Sequence, residues 1–284
     1  MLTVTKILLP IDLEEPSMPA VHHAAALARH FHAEVLILHV VRLLSYLGLH
    51  EIGHHERLSE AVKQAEAKLD SALLPELAGI PTKRMVAKGD PGRLIPEIAQ
   101  DQQAQLIVLG THGFGALAGA LMGSVAAKVL DRAHCPVWTV SRQQKTRTSD
   151  IAIHHVLCAV DFSPHDPATV RGAAAFAGAF GARLTLAHVT PSVENYGPGG
   201  SHVLPDFKEA LVSSSTRHLT KLREDTAVDA EFFIGSGSIS KVLHQAAEQT
   251  AADLLVIGRR ASINRLGSNN YAIIRDSPVD VLSV

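Results

Sequence analysis

Residues 110–124, GTHGFGALAGALMGS, place five glycines in fifteen positions directly after the apolar run AQLIVLG. Glycine lets a backbone amide approach a ligand without a Cβ in the way. Gly110, Gly113 and Gly123 would bring main-chain N–H groups to an anion, and a helix opening at Gly123–Ser124 would add its free amides and the positive end of its dipole. The Ser124 hydroxyl can donate to a phosphate oxygen. This is the chemistry of an anion nest built from main chain. The stretch lacks the GxxxxGK(S/T) string of a P-loop. Its G-x-G-x-x-x-G spacing is of dinucleotide type, but that fingerprint belongs after a first strand and this one follows a fourth. A ligand-free glycine-rich turn is the plain alternative.

A loop of this kind has to be held by a strand on one side and a helix on the other. The order of elements supplies both. TKILLPID is a short run apolar throughout, as a strand buried on both faces requires. EPSMPAVHHAAALARHF, rich in Ala with Pro near its start, predicts a helix, and AEVLILHVV the next strand. Residues 56–78 carry Leu58, Val62, Ala65 and Leu69 at helical spacing, with Pro75 expected to end or kink that helix. TKRMVAK, GRLIPEIAQDQQ, AQLIVLG, SVAAKVLDRA and CPVWTV then continue the alternation of strand and helix. The pattern predicts a parallel sheet covered by helices. The loop lies at the carboxyl end of a strand, where ligands bind in open α/β sheets.

The pattern is written twice. KILLPIDLEEPSMPAVHHAAALARHFHAEVLILHVV (6–41) matches HVLCAVDFSPHDPATVRGAAAFAGAFGARLTLAHVT (155–190), pairing Asp12 with Asp161 and His39–Val40 with His188–Val189. AQLIVLG matches ADLLVIG (252–258), and CPVWTV matches the closing SPVDVLSV. Two domains are expected, 1–142 and 152–284, joined by the polar stretch SRQQKTRTSD. Each is expected to be α/β, doubly wound, with a five-stranded, mainly parallel sheet and helices on both faces. The two apolar final strands are candidates for sheet-edge pairing.

Bulk properties narrow the function classes. The formal net charge is −2 and no long run of like charge occurs, which argues against a nucleic-acid binder. Apolar stretches are short and interrupted, so no membrane span is expected. Cys135 and Cys158 form no disulfide or metal framework, consistent with a reducing cytoplasmic setting. The start, MLTVTKILLPID, reads as a strand and not as a signal peptide.

Gly110-x2-Gly113-x9-Gly123-Ser124, the opening ILLPID, LHVV at strand two and GSVAAKVLDRAHCPVWTV resemble the markers of the universal stress protein family, and most recur in the second half. The resemblance implies a tandem member with an adenine nucleotide alpha hydrolase-like fold. It implies ATP, with or without Mg²⁺, lying across the strand ends. Pro10, Ile11 and Asp12 at strand one and Val40 at strand two would meet the adenosine. Leu109, Gly110, Gly113, Gly123, Ser124 and Val125 would line the phosphates. For Asp12 the plain alternative is a helix N-cap or loop brace. The family further implies a nucleotide-dependent regulatory protein of the stress response, working as a homodimer.

The second half departs from this pattern. Gly258 and Gly267–Ser268 are present, but Ala261 stands where the middle glycine belongs and the spacer is four residues shorter. Arg259, Arg260 and Arg265 are expected to be solvated. One conventional ATP site per chain is therefore expected, with an adenine-sized pocket persisting beside Asp161 and Val189. His50 and His54 in LHEIGHHERLSE have a usable metal spacing on a helix, but Gly53 and the absence of a further partner leave no metal site assigned. His39 and His188 are expected to be buried imidazoles bonded to backbone. No nucleophilic triad can be assembled, and phosphoryl transfer lacks its base and Mg²⁺ carboxylates. Binding with at most slow hydrolysis is expected. The competing readings are a true nucleotide hydrolase using His112 and Asp12, or a structural or metal-sensing module that binds no nucleotide.

Overall fold

The computed structural model describes residues 2–13, 18–42, 54–71, 75–110, 122–141, 151–192, 205–259 and 268–284. The chain divides into two compact units, one built around Thr3–Val140 and the other around Ala152–Val284.

In the first unit the strands are β1 (Lys6–Pro10), β2 (Glu34–Val41), β3 (Thr82–Lys88), β4 (Leu106–Gly110) and β5 (Val137–Val140). The helices are α1 (Met18–Phe31), α2 (His54–Ser71), α3 (Pro91–Asp101) and α4 (Ser124–Arg132), with a 3-10 turn at Pro75–Leu77. The helix predicted over 56–78 thus stops at Ser71, and Pro75 opens a separate turn.

The second unit repeats the plan. Its strands are β6 (His155–Val160), β7 (Arg183–Thr190), β8 (Glu231–Ser236), β9 (Leu254–Ile257) and β10 (Asp280–Ser283). Its helices are α5 (Asp166–Phe180), α6 (Pro205–Thr226), α7 (Ile239–Gln249) and α8 (Ser268–Asp276). No helix among the described residues is long and apolar enough to cross a membrane.

Within the units the strand orders are β3-β2-β1-β4-β5 and β8-β7-β6-β9-β10, and the pairings are parallel. The chain winds outward from β1 through β2 to β3, then returns to the other side of β1 for β4 and β5. Right-handed crossovers in opposite directions put helices on opposite faces of a sheet. The central strands are buried accordingly: Ile7, Leu8 and Leu9 on β1, and Val156, Leu157 and Cys158 on β6, are fully buried.

This winding creates a crevice. β1 and β2 stay in register out to Pro10↔Leu38, and β4 and β5 out to Gly110↔Val140. The β1–β4 pairing stops at Leu8↔Ile107. The sheet therefore opens at its carboxyl end between β1 and β4, at the reversal of strand order. In the second unit β6 and β9 pair only to Cys158↔Val256, while β6 and β7 continue to Val160↔His188.

Candidate functional site

Beyond β1 both backbone groups of Ile11 are committed. Its N–H donates to the Leu38 carbonyl at 2.8 Å, and its carbonyl lies 2.9 Å from Nδ1 of His39. That places the His39 proton on Nδ1, pointing at the backbone. The chain then leaves the sheet: Asp12 is exposed and Leu13 takes a left-handed φ of 61°. The second unit makes the same exit. His188 Nδ1 bonds the Val160 carbonyl at 3.0 Å, and Phe162 has φ of 60°. A non-glycine residue held in this region costs on the order of 1 kcal/mol, so two copies of the turn point to a shape the fold needs. His39 and His188 are both backbone-bonded as the sequence predicts, though half-buried and not fully so.

The remaining first-unit residues divide by element. Pro10 and Val40 are half-buried, and Leu109 is buried just below Gly110 at the end of β4. Gly123 is the N-cap of α4, makes no side-chain cap, and is followed by exposed Ser124 and half-buried Val125. The first amides of α4 thus lack the side-chain oxygen that usually satisfies them. Asp12 does not cap a helix opening at the next residue, because Leu13 takes a left-handed φ. The strand order brings Pro10, Ile11, Asp12, Leu109 and Gly110 to the two sides of one crevice, with Val40 on the strand beyond β1. Gly113 and His112 lie outside the described residues, as do His50, Arg260, Ala261, Arg265 and Gly267.

Near α4, Asp90 caps α3 by accepting from the Gly92 N–H, and its other carboxylate oxygen lies 3.0 Å from Lys128 Nζ. The hydrogen bond from Lys128 holds the Asp90 carboxyl below its ordinary range. This pair ties α3 to the helix that Ser124 opens.

In the second unit the equivalent crevice is a cavity of about 220 Å³, with Val160 and Asp161 on one side, Gly258 and Arg259 on the other, and Asp166 and His188 in its wall. The expected pocket beside Asp161 and Val189 is thus present. Three of its features were not expected. Asp166, buried at the start of α5, accepts from the Phe162 N–H at 2.7 Å and from the Ser163 hydroxyl at 3.3 Å. Burial, with the Asp161 charge second, pushes its carboxyl up to about 6. Asp161 itself is exposed and accepts from the Ser163 N–H at 3.1 Å. Burial also pulls the His188 imidazole below its ordinary value.

Arg259 is the second surprise. It is half-buried in the pocket wall, not solvated. Its N–H donates to the Val284 carbonyl at 2.8 Å, which keeps the chain on the sheet for one residue past Gly258. The third is Thr169. A Cβ on Gly258 would lie 2.5 Å from Thr169 Oγ1, so a close neighbour is by itself enough to require this glycine. The matching residue in the first unit is Ala20, and that one-for-one alignment of the halves was the available signal.

Two α/β units, each with a five-stranded parallel sheet that opens at the reversal of strand order, define a tandem doubly wound protein. The model of the universal stress protein family matches residues 3–141 and again 152–284, and the chain belongs to that family. Universal stress protein MJ0531 of Methanocaldococcus jannaschii is 37% identical over 142 residues, 49% of this chain and 84% of that protein. YxiE of Bacillus subtilis is 31% identical over 144 residues, 48% of this chain and 97% of its own. Each such relative corresponds to about one of the two units. A universal stress protein structure from Archaeoglobus fulgidus follows the whole fold, with a TM-score of 0.70 at 22% identity, covering 99% of this chain and 96% of that one.

Proposed function

We propose that the first unit binds ATP and that the protein is a nucleotide-dependent regulator of the stress response. One observation carries this reading. The helix that follows β4 is α4, whose N-cap Gly123 supplies no side-chain cap, and β4 parts from β1 beyond Leu8↔Ile107, in a chain with the Gly110-x2-Gly113-x9-Gly123-Ser124 spacing. Uncapped amides at a helix start are ready donors to phosphate oxygens. In this reading Gly110, Gly113, Gly123, Ser124 and Val125 surround the phosphates and Leu109 supports them from the end of β4. Pro10, Ile11 and Val40 contact the base. Exposed Asp12 accepts hydrogen bonds from adenosine, which offers donors that phosphate lacks. Mg²⁺, when present, rides on the phosphate oxygens. No catalytic residue is assigned. The protein is placed in the cytoplasm as a homodimer.

Mass spectrometry of the freshly purified chain is the direct test. One adenine nucleotide per chain, lost in Gly113→Val, is the expected result. No nucleotide, with a Tm that added ATP leaves unchanged, would overturn the reading. Sedimentation with and without ATP tests the dimer.

A further inference from the structure

The two units end their sheets in different edge strands. Among the described residues β3 pairs with β2 alone and β8 with β7 alone, each at the outer end of its strand order. An unpaired edge offers its N–H and C=O groups to any other strand, and proteins guard such edges with charge, lysine above all. β3 is guarded: TKRMVAK carries exposed Lys83, Arg84 and Lys88. β8 is not. EFFIGS has one charged side chain, Glu231 at its start, and then Phe232, Phe233, Ile234 and Gly235, all half-buried. Of the three large apolar side chains exposed among the described residues, two, Phe207 and Val212, lie on α6, a helix that packs on β8. Arg223 of α6 lies over the Phe232 ring at 4.9 Å, and Val242 of α7 is the close neighbour of Gly235. The two helices thus cover the faces of β8 and leave its edge.

The pairing with β7 fixes which groups of β8 face outward. The Gly237 N–H donates to the Thr190 carbonyl at 3.0 Å, and the Gly235 carbonyl accepts from the Thr190 hydroxyl at 3.1 Å. Gly235 and Gly237 therefore turn to β7, on either side of the Thr190↔Ser236 position. Backbone groups alternate along a strand, so Phe232, Ile234 and Ser236 direct their N–H and C=O away from β7. The same strand of a second copy, antiparallel about a two-fold axis at Ile234, satisfies these groups. It sets Phe232 opposite Ser236, Phe233 opposite Gly235 and Ile234 opposite itself, so large side chains meet small ones or their twin. Glu231 falls opposite Gly237, and the one charge of the strand meets no like charge. β3 in the same arrangement about Val86, the match of Ile234, would set Arg84 opposite Lys88. Like charges directly opposite destabilise a strand pair. Self-pairing thus suits β8 and not β3.

We infer that β8 is a dimerisation edge, pairing antiparallel with β8 of a second copy of this chain about a two-fold axis at Ile234. The inference names the surface of the homodimer proposed above and rests on that reading for the dimer itself. An isologous contact of this kind closes at two chains, because each edge is consumed by its twin.

Sedimentation of the full chain reads its state, and two matched pairs of variants locate the surface. Ile234→Lys charges the β8 edge, and Val86→Lys adds a charge at the matching place on β3. In a Cys135→Ser chain, whose remaining cysteine, Cys158, is fully buried, Ile234→Cys and Val86→Cys are treated with a thiol oxidant. Residues opposite in a hydrogen-bonded antiparallel pair have Cα atoms about 5.5 Å apart, within disulfide reach. The wild type is expected to be a dimer. Ile234→Lys is expected to weaken it at least about a hundredfold with circular dichroism unchanged, and Val86→Lys to leave it intact. Ile234→Cys is expected to cross-link chain to chain, and Val86→Cys not. The cysteine pair decides if Ile234→Lys does not fold. A dimer that survives Ile234→Lys and gives no Ile234→Cys cross-link would overturn the inference and leave the homodimer reading standing. A wild type that stays monomeric at about 100 µM would overturn both. Cross-linking of Ile234→Cys chains to Val86→Cys chains, with oligomers beyond the dimer, would show β8 pairing head-to-tail with β3 and overturn the inference equally.

Discussion

The two units begin from the same crevice and finish it with different chemistry. Both open between the first and fourth strands of the unit, and both leave the first strand through a histidine-pinned turn with a left-handed residue. In the first, the strand that follows the opening leads toward an uncapped helix start at Gly123–Ser124. In the second, the Arg259 main-chain N–H donates to Val284, the Asn270 amide donates to the Gly258 carbonyl, and Asp166 joins Asp161 in the wall. The scaffold sets where a ligand sits. On the reading proposed above, the donors and acceptors at the strand ends decide which ligand the crevice takes.

The sharpest way to break this comparison is to exchange the loops. Replacing residues 111–122 with RRASINRL, the shorter sequence found at 259–266, is expected to weaken ATP binding by more than about a hundredfold, or about 3 kcal/mol. The reciprocal graft is expected not to create a second tight ATP site, because Asp166, where the first unit has Ser17, stays in the wall. Calorimetric stoichiometry reads both. A second equivalent of ATP bound by the reciprocal graft would show that loop length alone separates the units.

A second test concerns the close approach at Gly258. Gly258→Ala puts a Cβ 2.5 Å from Thr169 Oγ1 and is expected to destabilise the second unit by about 1–3 kcal/mol. Thr169→Ala, which copies Ala20 of the first unit, is expected to recover most of that loss in the double variant. Urea denaturation of the four proteins gives the coupling. Additive effects would show that the crowding is relieved elsewhere.

Asp166 provides the third. Its carboxyl titrates near 6 in the fold and near 3.8 when unfolded. Its contribution to stability is therefore complete below about pH 4 and is lost as pH rises through 6. His188, pulled below its ordinary value by burial, acts in the opposite sense: its contribution is present above its unfolded pKa and is lost as pH falls. The two therefore act in opposite senses in the wild type. Asp166→Asn removes one of them, and Asn still presents a carbonyl oxygen to the Phe162 N–H. The stability of the variant relative to wild type is expected to rise between pH 4 and 6, by on the order of 2 kcal/mol, and then level off. A difference that is flat with pH would assign Asp166 a bracing role with no electrostatic cost.

Much of this architecture could be read from residue patterns. The buried runs at 6–10, 34–41, 106–110 and 137–140 are apolar because parallel strands are covered on both faces, and each appears as a strand. The repeat made the second unit legible from the first. The wall chemistry of the second cavity was not legible. Asp166 lies five residues beyond Asp161, and its place in the site goes with a left-handed Phe162 whose N–H it accepts. Arg259 reads as a surface cation until its N–H is found on Val284, a partner that depends on how β9 and the chain end align. Thr169 is one helical residue among many until Gly258 is seen against it. Each of these depends on a contact distant in sequence or on an unusual backbone angle, and neither leaves a local signature.

The smallest expected effect lies outside both crevices, at the junction of the helices that flank the first. Asp90 and Lys128 join α3 to α4 at 3.0 Å, whereas the matching positions in the second unit are Ser238 and Ala272. Both side chains of the pair are nearly half exposed, so water and salt weaken their attraction. Lys128→Met is expected to cost at most about 1 kcal/mol, a loss that fades in high salt. The Asp90 carboxyl is held below its ordinary value, so the contribution of the pair is present above the unfolded pKa and disappears as pH falls through the folded one. Because Asp90 also caps α3 through Gly92, Asp90→Ala removes a cap as well and is expected to cost more than Lys128→Met. Ser238, the N-cap at the same place on α7, makes no side-chain cap, so Ser238→Ala is expected to leave stability nearly unchanged. Equal losses in Asp90→Ala and Lys128→Met would mean that the ion pair, and not the cap, is what the first unit has and the second lacks.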